Sequence, residues 1–280
     1  MGSDLGPDFG LAGKKILVLG GGQGMGESTS LLLAAAGADV AVADLEVERA
    51  ERVAAAVTAA GTRGYPLVVD VTDDDALVGA IARTETELGP LDGLVTIIGM
   101  AAWARLVDMT TETWDLDHRR NLRYFFLSAR EVARSLIARG APGSIVCVAS
   151  IDGIRSAAGH ASYGAAKAGL VNLVKTMTAE WSGHGIRVNA VAPGAMITPR
   201  IPERSPEEEA EMMSTVPMHR RGTTDDIGKA ALFFLSDLST YVSGQTLAVD
   251  GGFTAVGPLD YTANMPLVDV SGPGGTIGLQ

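Results

Sequence analysis

The segment Gly20-Gly21-Gly22-Gln23-Gly24-Met25-Gly26 decides the fold, because its five glycines in seven residues separate a strand-like run from a helix-like one. The preceding residues, 15–19 (KILVL), are apolar and have the length of a buried parallel strand. Residues 27–36 are compatible with a helix that ends before Gly37. A second apolar run at 39–43 (DVAVA) completes a strand–turn–helix–strand unit.

The same alternation continues to residue 250 and indicates one domain. Further strands are predicted at 66–69, 94–98, 144–149, 187–192 and 246–250. Further helices are predicted at 50–60, 72–88 (with Thr72 as N-cap), 113–139, 163–183 and 225–235. Seven strands interleaved with helices predict an α/β protein with a single-domain Rossmann fold, a doubly wound parallel sheet with helices on both faces.

A proline-rich segment, residues 198–218, interrupts the alternation around a short acidic helix. Ser205 is the expected N-cap of that helix, Pro206 its first residue and Glu208 the partner in a capping box. The acidic side chains of this helix are expected to face solvent. The tail that follows Gly252 carries only two charged side chains.

The composition of the 280 residues excludes several classes of protein. With 22 Lys+Arg against 33 Asp+Glu, the net charge of −11 argues against nucleic acid or an anionic membrane as the main partner. The chain has no apolar run near 20 residues, no signal-peptide pattern and one cysteine, Cys147, so a cytoplasmic protein is expected. No metal site is expected either, because the histidines lack metal-ligand spacing: His118, His160, His184 and His219.

The glycine segment lies where a dinucleotide-binding fingerprint is expected. Glycines let the backbone approach a pyrophosphate, whose charge is stabilised at the N-terminus of the following helix. Asp44 ends the second predicted strand, 18 residues after Gly26. Its carboxylate can accept hydrogen bonds from ribose hydroxyls and would repel a 2′-phosphate. Since the nearest cationic residue in the sequence is Arg49, these residues favour NAD over NADP.

Tyr163 and Lys167 are four residues apart on a predicted helix, so their side chains share one face. A neighbouring ammonium favours the phenolate and would lower the tyrosine pKa from its usual value of about 10. Such a tyrosine can exchange a proton with an alcohol or ketone oxygen. Ser150 ends a strand at the carboxyl edge of the sheet, where such folds bind ligands. Taken alone, the Tyr–Lys spacing is common and more typical of an ordinary helical pair.

Over residues 9–253 the chain resembles the short-chain dehydrogenase/reductase family, whose motifs it matches in order and spacing. These motifs are Gly20, Gly24, Gly26, Asp70-Val71, Asn121, Ser150, Tyr163, Lys167, Asn189-Ala190-Val191-Ala192-Pro193-Gly194, Thr198, Ser243-Gly244-Gln245 and Asp250-Gly251-Gly252. The resemblance implies an oxidoreductase in which the cofactor carries hydride and the protein manages orientation and protons.

The resemblance implies catalytic roles for four residues. Tyr163 would be the general acid/base, and Ser150 would hold the substrate oxygen. Lys167 would lower the tyrosine pKa and bind the nicotinamide ribose. Asn121 would position a water molecule in a proton relay to Lys167.

It also implies a cofactor site with two ends. Asp70 would contact the adenine amino group and Val71 would line its pocket, while Pro193, Gly194 and Thr198 would hold the nicotinamide. The expected cofactor-binding residues are Gly20, Gly22, Gln23, Gly24, Met25, Gly26, Asp44, Leu45, Asp70, Val71, Gly99, Tyr163, Lys167, Pro193, Gly194, Met196 and Thr198.

Two positions depart from the family pattern. Leu19 replaces the threonine that usually opens the glycine motif, and Thr96-Ile97-Ile98-Gly99 replaces the usual Asn-Asn-Ala-Gly. Both sites organise cofactor or sheet contacts, so the departures bear on cofactor affinity and leave the four catalytic positions intact.

Residues 195–218 resemble the family's substrate lid, which closes over the cofactor and excludes water. Its methionine and isoleucine side chains favour a mainly apolar substrate. Asp152 is equally compatible with a turn-capping role, and Arg200 with a surface position or an anchor for a substrate carboxylate. The candidate substrate residues are Met100, Trp103, Ile151, Asp152, Ala195 and Arg200.

These observations lead to one functional hypothesis and two alternatives. The leading hypothesis is an NAD-dependent oxidoreductase that interconverts a secondary alcohol and a ketone on a mainly apolar small molecule. The first alternative is a 3-oxoacyl-thioester ketoreductase acting on a carrier-bound acyl chain. The second is a catalytically silent NAD-binding regulator.

The resemblance also implies a homotetramer in which helices around 113–139 and 163–183 pack between subunits. Residues 1–253 are expected to form the Rossmann-fold NAD-binding and catalytic domain. Residues 254–280 are expected to form an extension that packs on the active site or on a neighbouring subunit.

Overall fold

Seven parallel strands form one sheet within residues 8–201 and 204–257, which are the residues that the computed structural model describes. The strands are β1 (Lys15–Leu19), β2 (Asp39–Asp44), β3 (Gly64–Val68), β4 (Gly93–Thr96), β5 (Gly143–Val148), β6 (Ile186–Pro193) and β7 (Thr246–Val249). Their spatial order is β3-β2-β1-β4-β5-β6-β7. This is a doubly wound Rossmann sheet, and it confirms the predicted fold class.

Helices connect the strands and cover both faces of the sheet. They are α1 (Gly24–Ala35), α2 (Val47–Ala59), α3 (Asp74–Glu87), α4 (Thr111–His118), α5 (Tyr124–Arg139), α6 (Ala161–Trp181), α7 (Pro206–Met213) and α8 (Thr224–Leu235). None of the helices in the described residues is long and apolar enough to cross a membrane. Most of the predicted C-terminal extension, residues 258–280, lies outside the described part of the chain.

Alternate side chains of each strand enter two separate cores. On β1, Leu17 and Leu19 pack with α3, α5 and α6, whereas Ile16 and Val18 pack with α1, α2 and α8. All four side chains are buried. Burial of each contributes about 1.5–3 kcal/mol, so strands with apolar residues at every position are stable only between two helical layers.

The starts of helices α1 and α3 are among those that differ from the sequence predictions. Helix α1 begins at Gly24, inside the glycine segment, rather than at residue 27. Helix α3 is capped by Asp73, whose carboxylate accepts a hydrogen bond from Ala76 N at 3.0 Å. Thr72 is not this cap, because its hydroxyl donates instead to Asp70 Oδ1 at 2.7 Å.

The long helix predicted at 113–139 consists of three pieces. Helices α4 and α5 are joined by a single π turn, Arg119–Arg123. No proline or glycine marks this change of helical pitch in the sequence. The π turn matters for the site because it carries Asn121, which is fully buried.

The switch point of the sheet lies between β1 and β4, where the chain runs to opposite sides of β1. Ligands bind at such points, outside the carboxyl ends of the strands. The glycine segment turns there, and a Cβ at Gly26 would lie only 1.8 Å from the carbonyl oxygen of Gly20. Glycine at position 26 is therefore required for α1 to start against the end of β1.

Candidate active site

A cleft of about 820 Å³ follows the carboxyl edge of the sheet. The glycine segment and the ends of β2, β3, β4, β5 and β6 form its floor, and residues 195–201 form part of its wall. The predicted site residues that line it are Gly20, Gln23, Gly24, Met25, Asp44, Leu45, Asp70, Val71, Gly99, Met100, Trp103, Ser150, Ile151, Asp152, Tyr163, Lys167, Pro193, Gly194, Ala195, Met196, Thr198 and Arg200.

Three predicted residues lie behind this surface: Gly22, Gly26 and Asn121. Gly26 packs against the backbone of Gly20, as described above. The N–H of Gly22 donates to Asp44 Oδ2 at 3.1 Å. Asn121 bonds to backbone around the cleft. None of these three residues lines the cleft surface, but each contacts residues that do.

The glycine segment is held to β2 by backbone hydrogen bonds. The N–H groups of Gly20 and Gly21 donate to the carbonyl oxygen of Ala43 at 2.8 and 2.9 Å. This fixes the turn so that the N-terminus of α1 faces the cleft, where backbone N–H groups favour a negative charge. The geometry fits the pyrophosphate of a dinucleotide.

Asp44 lies at the end of β2 with 8% of its surface exposed. Its Oδ2 accepts from Gly22 N and its Oδ1 accepts from Glu46 N, both at 3.1 Å. Arg49, the nearest cation in the sequence, reaches Oδ1 at 3.9 Å as an ion pair. The carboxylate is therefore fixed in position and has one cation beside it.

The far end of the cleft lies beyond β3. Asp70 Oδ1 accepts from the N–H and the hydroxyl of Thr72, at 2.8 and 2.7 Å, and Val71 is buried. Leu45 is exposed on the other side of this end. A carboxylate between two apolar side chains fits a flat base that carries an amino group.

Ser150 and the Tyr163–Lys167 pair meet at the centre of the cleft. Ser150 follows β5, and α6 presents Tyr163 and Lys167 on one face, as their spacing predicts. Lys167 is 1% exposed and donates from Nζ to the carbonyl oxygen of Val148 at 2.8 Å. Its Nζ lies 5.4 Å from the centre of the Tyr163 ring.

Burial changes the pKa of both side chains. It raises the pKa of Tyr163 to about 12, and a hydrogen bond with Ser150 opposes this rise. Burial lowers the pKa of Lys167 to about 8. The expectation of a lowered tyrosine pKa is thus not met by the chain alone, because burial of the phenol and the nearby Asp152 charge outweigh the hydrogen bond with Ser150.

Asn121 joins the π turn to the loop that follows β4. Its Nδ2 donates to the carbonyl oxygens of Met100 and Asp117 at 2.8 Å, and its Oδ1 accepts from Met100 N at 3.2 Å. A Cβ at Gly99 would lie 3.3 Å from Asn121 Oδ1 and 3.2 Å from Lys167 Nζ. Glycine at position 99 therefore keeps the path between these two polar groups open.

The two departures from the family pattern fill apolar positions. Leu19 is fully buried in the core. A Cβ at Gly20 would lie 2.8 Å from Ile98 Cγ1, so that the isoleucine supports the glycine turn from below. Tyr124 donates from its hydroxyl to the carbonyl oxygen of Ile98 at 2.8 Å. Packing, this hydrogen bond and the hydrogen bonds between Asn121 and Met100 hold the loop after β4.

The lid is tied to the body at its base. The N–H of Ile197 donates to Gly222 O at 2.8 Å, and the N–H of Gly222 donates to Ala195 O at 2.9 Å. The predicted capping box of α7 is confirmed, with Ser205 and Glu208 as its members.

The lid also reaches the glycine segment. With the Gln23 amide oriented so that its oxygen faces Arg200, Oε1 accepts from Arg200 Nε and Nη2, both at 3.1 Å. Pro199 lies 3.5 Å from the position of a Cβ on Gly24. Arg200 therefore points into the cleft and not away from the protein.

Three polar residues of the cleft were not among the predicted site residues, Thr72, Arg120 and His160. His160 lies just before α6 and outside the helix predicted from residue 163, so no helical spacing identified it. Arg120 pairs with the buried Asp117, Nη2 to Oδ1 at 2.5 Å. No sequence pattern identifies Arg120, because its position depends on the π turn.

Known proteins resemble this chain over most of its length. A family model described as "Enoyl-(Acyl carrier protein) reductase" matches residues 20–254. The 2-(S)-hydroxypropyl-CoM dehydrogenase 3 of Xanthobacter autotrophicus is 35% identical, over 88% of this chain and 98% of the relative. The 3-oxoacyl-[acyl-carrier-protein] reductase FabG of Thermotoga maritima is 36% identical, over 86% of this chain and 98% of that protein.

The fold has a close match among solved structures. A short-chain type dehydrogenase/reductase from Mycobacterium marinum superposes with a TM-score of 0.83 and 31% sequence identity. The match covers 89% of this chain and 98% of the other.

Proposed function

Because the chain belongs to the short-chain dehydrogenase/reductase family, we propose that it is an NAD-dependent oxidoreductase that interconverts a secondary alcohol and a ketone. The observation that carries this proposal is the meeting of Ser150, Tyr163 and Lys167 in the cleft that the glycine segment also lines. Apolar lid residues, among them Met196 and Ile201, support a mainly apolar small molecule as substrate.

Four side chains of the protein have different roles in the proposed reaction. A nicotinamide held in the cleft would supply the hydride chemistry at the carbon that bears the reacting oxygen. Ser150 holds the substrate oxygen, and Tyr163 removes the hydroxyl proton during oxidation or supplies it during reduction. The Lys167 ammonium favours the phenolate form of Tyr163, and Asn121 is proposed to position a water molecule that carries the proton onward.

Asp44 supports NAD as the cofactor, because a fixed carboxylate at the end of β2 would repel a 2′-phosphate. Arg49 acts against this preference, since its guanidinium lies 3.9 Å from the same carboxylate. We expect the wild type to use NAD at least about tenfold more efficiently than NADP, a difference of ~1.4 kcal/mol.

The variant Asp44→Asn keeps an acceptor for the Gly22 N–H and removes the charge, leaving Arg49 free to attract a phosphate. It should lose efficiency with NAD and gain it with NADP. Steady-state kcat/KM for both cofactors measures this. A wild type that prefers NADP, or a variant with an unchanged preference, would contradict the assignment of Asp44.

The reaction itself is tested by following absorbance of the reduced cofactor with NAD and a panel of secondary alcohols. The proposal expects turnover of at least one apolar secondary alcohol and of the matching ketone in reverse. Demonstrable NAD binding with no turnover of any alcohol or ketone would favour the regulator alternative instead. The joint presence of Ser150, Tyr163 and Lys167 in one cleft argues against that alternative.

A second candidate function is reduction of a 3-oxoacyl thioester on an acyl carrier protein. The 36% identical relative of that name favours it. The net charge of −11 argues against it, because such carriers are acidic and would be repelled. Turnover of a 3-oxoacyl thioester with NADPH that is faster than turnover of any alcohol with NAD would select this candidate.

For either activity we propose a cytoplasmic location, consistent with the single, free and buried Cys147.

A further inference from the structure

Three side chains form a cluster beside Tyr163 on the substrate side of the cleft. His160 Nδ1 lies 2.7 Å from Asp152 Oδ2. The Trp103 ring covers the imidazole, with ring centres 3.6 Å apart. The centre of the same imidazole lies 5.5 Å from the centre of the Tyr163 ring. His160 therefore lies next to Tyr163, which is the proposed acid/base at the reacting oxygen.

The other imidazole nitrogen, His160 Nε2, is shielded from solvent and has no hydrogen-bond partner among the described residues. A buried polar nitrogen without a partner is costly, and native sites rarely keep one without a function. Since His160 lines the cleft next to Tyr163, a substrate can supply the missing partner.

The contact between His160 Nδ1 and Asp152 determines which kind of group can form a hydrogen bond with Nε2. An ionised carboxylate only accepts hydrogen bonds, so the proton of the neutral imidazole lies on Nδ1. Nε2 then carries a lone pair and accepts. The group that it accepts from must be a donor, such as a hydroxyl, and a ketone or carboxylate oxygen does not fit.

Asp152 also fixes the position of this acceptor relative to the reaction. Its backbone N–H donates to Ser150 Oγ at 3.1 Å, while its side chain holds His160. One residue thus links the group that binds the reacting oxygen to the group with the free acceptor. A donor on the substrate has to lie close to the reacting carbinol.

We propose that His160 is a specificity-determining residue, whose Nε2 accepts a hydrogen bond from a second hydroxyl near the reacting carbinol. This refines the substrate class to mainly apolar diols, and it rests on the proposed function as an alcohol dehydrogenase. Trp103 is 75% exposed and moves aside to admit that hydroxyl, after which its indole covers the apolar part of the substrate.

The test compares cyclohexanol with trans-cyclohexane-1,2-diol as alcohol substrates, with NAD as cofactor. The two probes differ by one hydroxyl next to the carbinol. The wild type should have a kcat/KM about threefold to tenfold higher for the diol, the selectivity that one net hydrogen bond gives.

Two variants separate the imidazole nitrogens. In His160→Asn the amide can reach Asp152 but not the position of Nε2, so the ratio of kcat/KM for the diol to that for cyclohexanol should fall to about one. In His160→Gln the longer amide places an oxygen near the Nε2 position, so part of the preference should return. A merely structural role of His160 would lower turnover of both alcohols equally.

Two results would overturn this inference without affecting the proposed function. One is an equal kcat/KM of the wild type for the two alcohols, and the other is an unchanged diol preference in His160→Asn. Both leave the alcohol dehydrogenase activity in place. If the wild type oxidises neither these probes nor any other secondary alcohol with NAD or NADP, the proposed function fails and the inference fails with it.

Discussion

Lys167 is a buried cation whose folded-state pKa, about 8, lies below its ordinary value of 10.5. Between these two values the unfolded chain binds more protons than the folded one, so this side chain makes the protein more stable as pH rises. Below pH 8 the ammonium is present in both states and its burial destabilises the fold. The residue proposed to assist catalysis therefore weakens the cofactor-free protein at neutral pH.

The variant Lys167→Met removes this titration. We expect the unfolding free energy of the wild type, minus that of the variant, to rise by roughly 1–3 kcal/mol between pH 7 and pH 10. Denaturant unfolding of the cofactor-free proteins at several pH values measures the difference. A difference that stays flat across this range would show that the ammonium is not desolvated.

At the scale of single residues, spacing in the sequence identifies the candidate site side chains. It does not identify their burial or their charged neighbours. Tyr163, Lys167 and Asp44 are predicted because each follows a short-range pattern, and all three line the cleft. The raised pKa of Tyr163 and the ion pair of Asp44 with Arg49 were not predicted. Both depend on burial and distances that only the folded chain defines.

An ion pair links helix α7 of the predicted lid to Arg221, and Met213 of the same helix is buried. Arg221 Nη2 lies 2.7 Å from Glu209 Oε2, and Arg221 is 7% exposed, whereas Glu209 is partly exposed. Removing a charge from such a pair leaves a cation buried without its partner, which costs on the order of 1–3 kcal/mol where one side is solvated.

We expect Glu209→Gln to loosen the lid, raising KM for the alcohol severalfold while kcat changes little. Glu207→Gln is the matched control, because Glu207 is exposed on the same helix. Steady-state kinetics and thermal unfolding of both variants provide the measurement. An equal response of the two variants would mean that the ion pair does not hold the lid.

Elements were predicted well where periodicity and end signals coincide, as for the Ser205 capping box of α7. They were predicted poorly where tertiary contacts set the geometry. The π turn at Arg119–Arg123 lies in a sequence that favours uninterrupted helix, and it is linked to the loop after β4 through Asn121. A contact between distant segments thus overrides a local preference.

At the scale of the whole molecule, the alternation of apolar strands and helices in the sequence predicts the class of fold. The strand order could not be read from the alternation, because each crossover can place its strand on either side of the sheet. The folded chain defines that choice, with the strand order β3-β2-β1-β4-β5-β6-β7.

A second groove, of about 840 Å³, lies on the outer side of the helical layer. It is lined by residues of α4, the π turn, α5 and α6, with Phe126 44% exposed. These are the helices that the family resemblance assigns to subunit contacts, so we propose that this face packs between the chains of a homotetramer.

Phe126→Glu should shift the protein from a tetramer to smaller species, because a charge would be buried in the contact. Val78→Glu is the control, since Val78 is an exposed apolar residue on α3 outside the groove. Light scattering after size-exclusion chromatography measures both. A monomeric wild type, or a tetramer that Phe126→Glu leaves intact, would refute this assembly.

The central claim is that Tyr163 exchanges the proton in a nicotinamide-dependent oxidation of an alcohol. The most direct measurement is the turnover of wild type and Tyr163→Phe, followed at 340 nm with NAD and one active secondary alcohol, together with NAD affinity by calorimetry. We predict a loss of roughly 10²–10⁴-fold in kcat with NAD affinity retained. A variant that turns over at the wild-type rate would contradict the account.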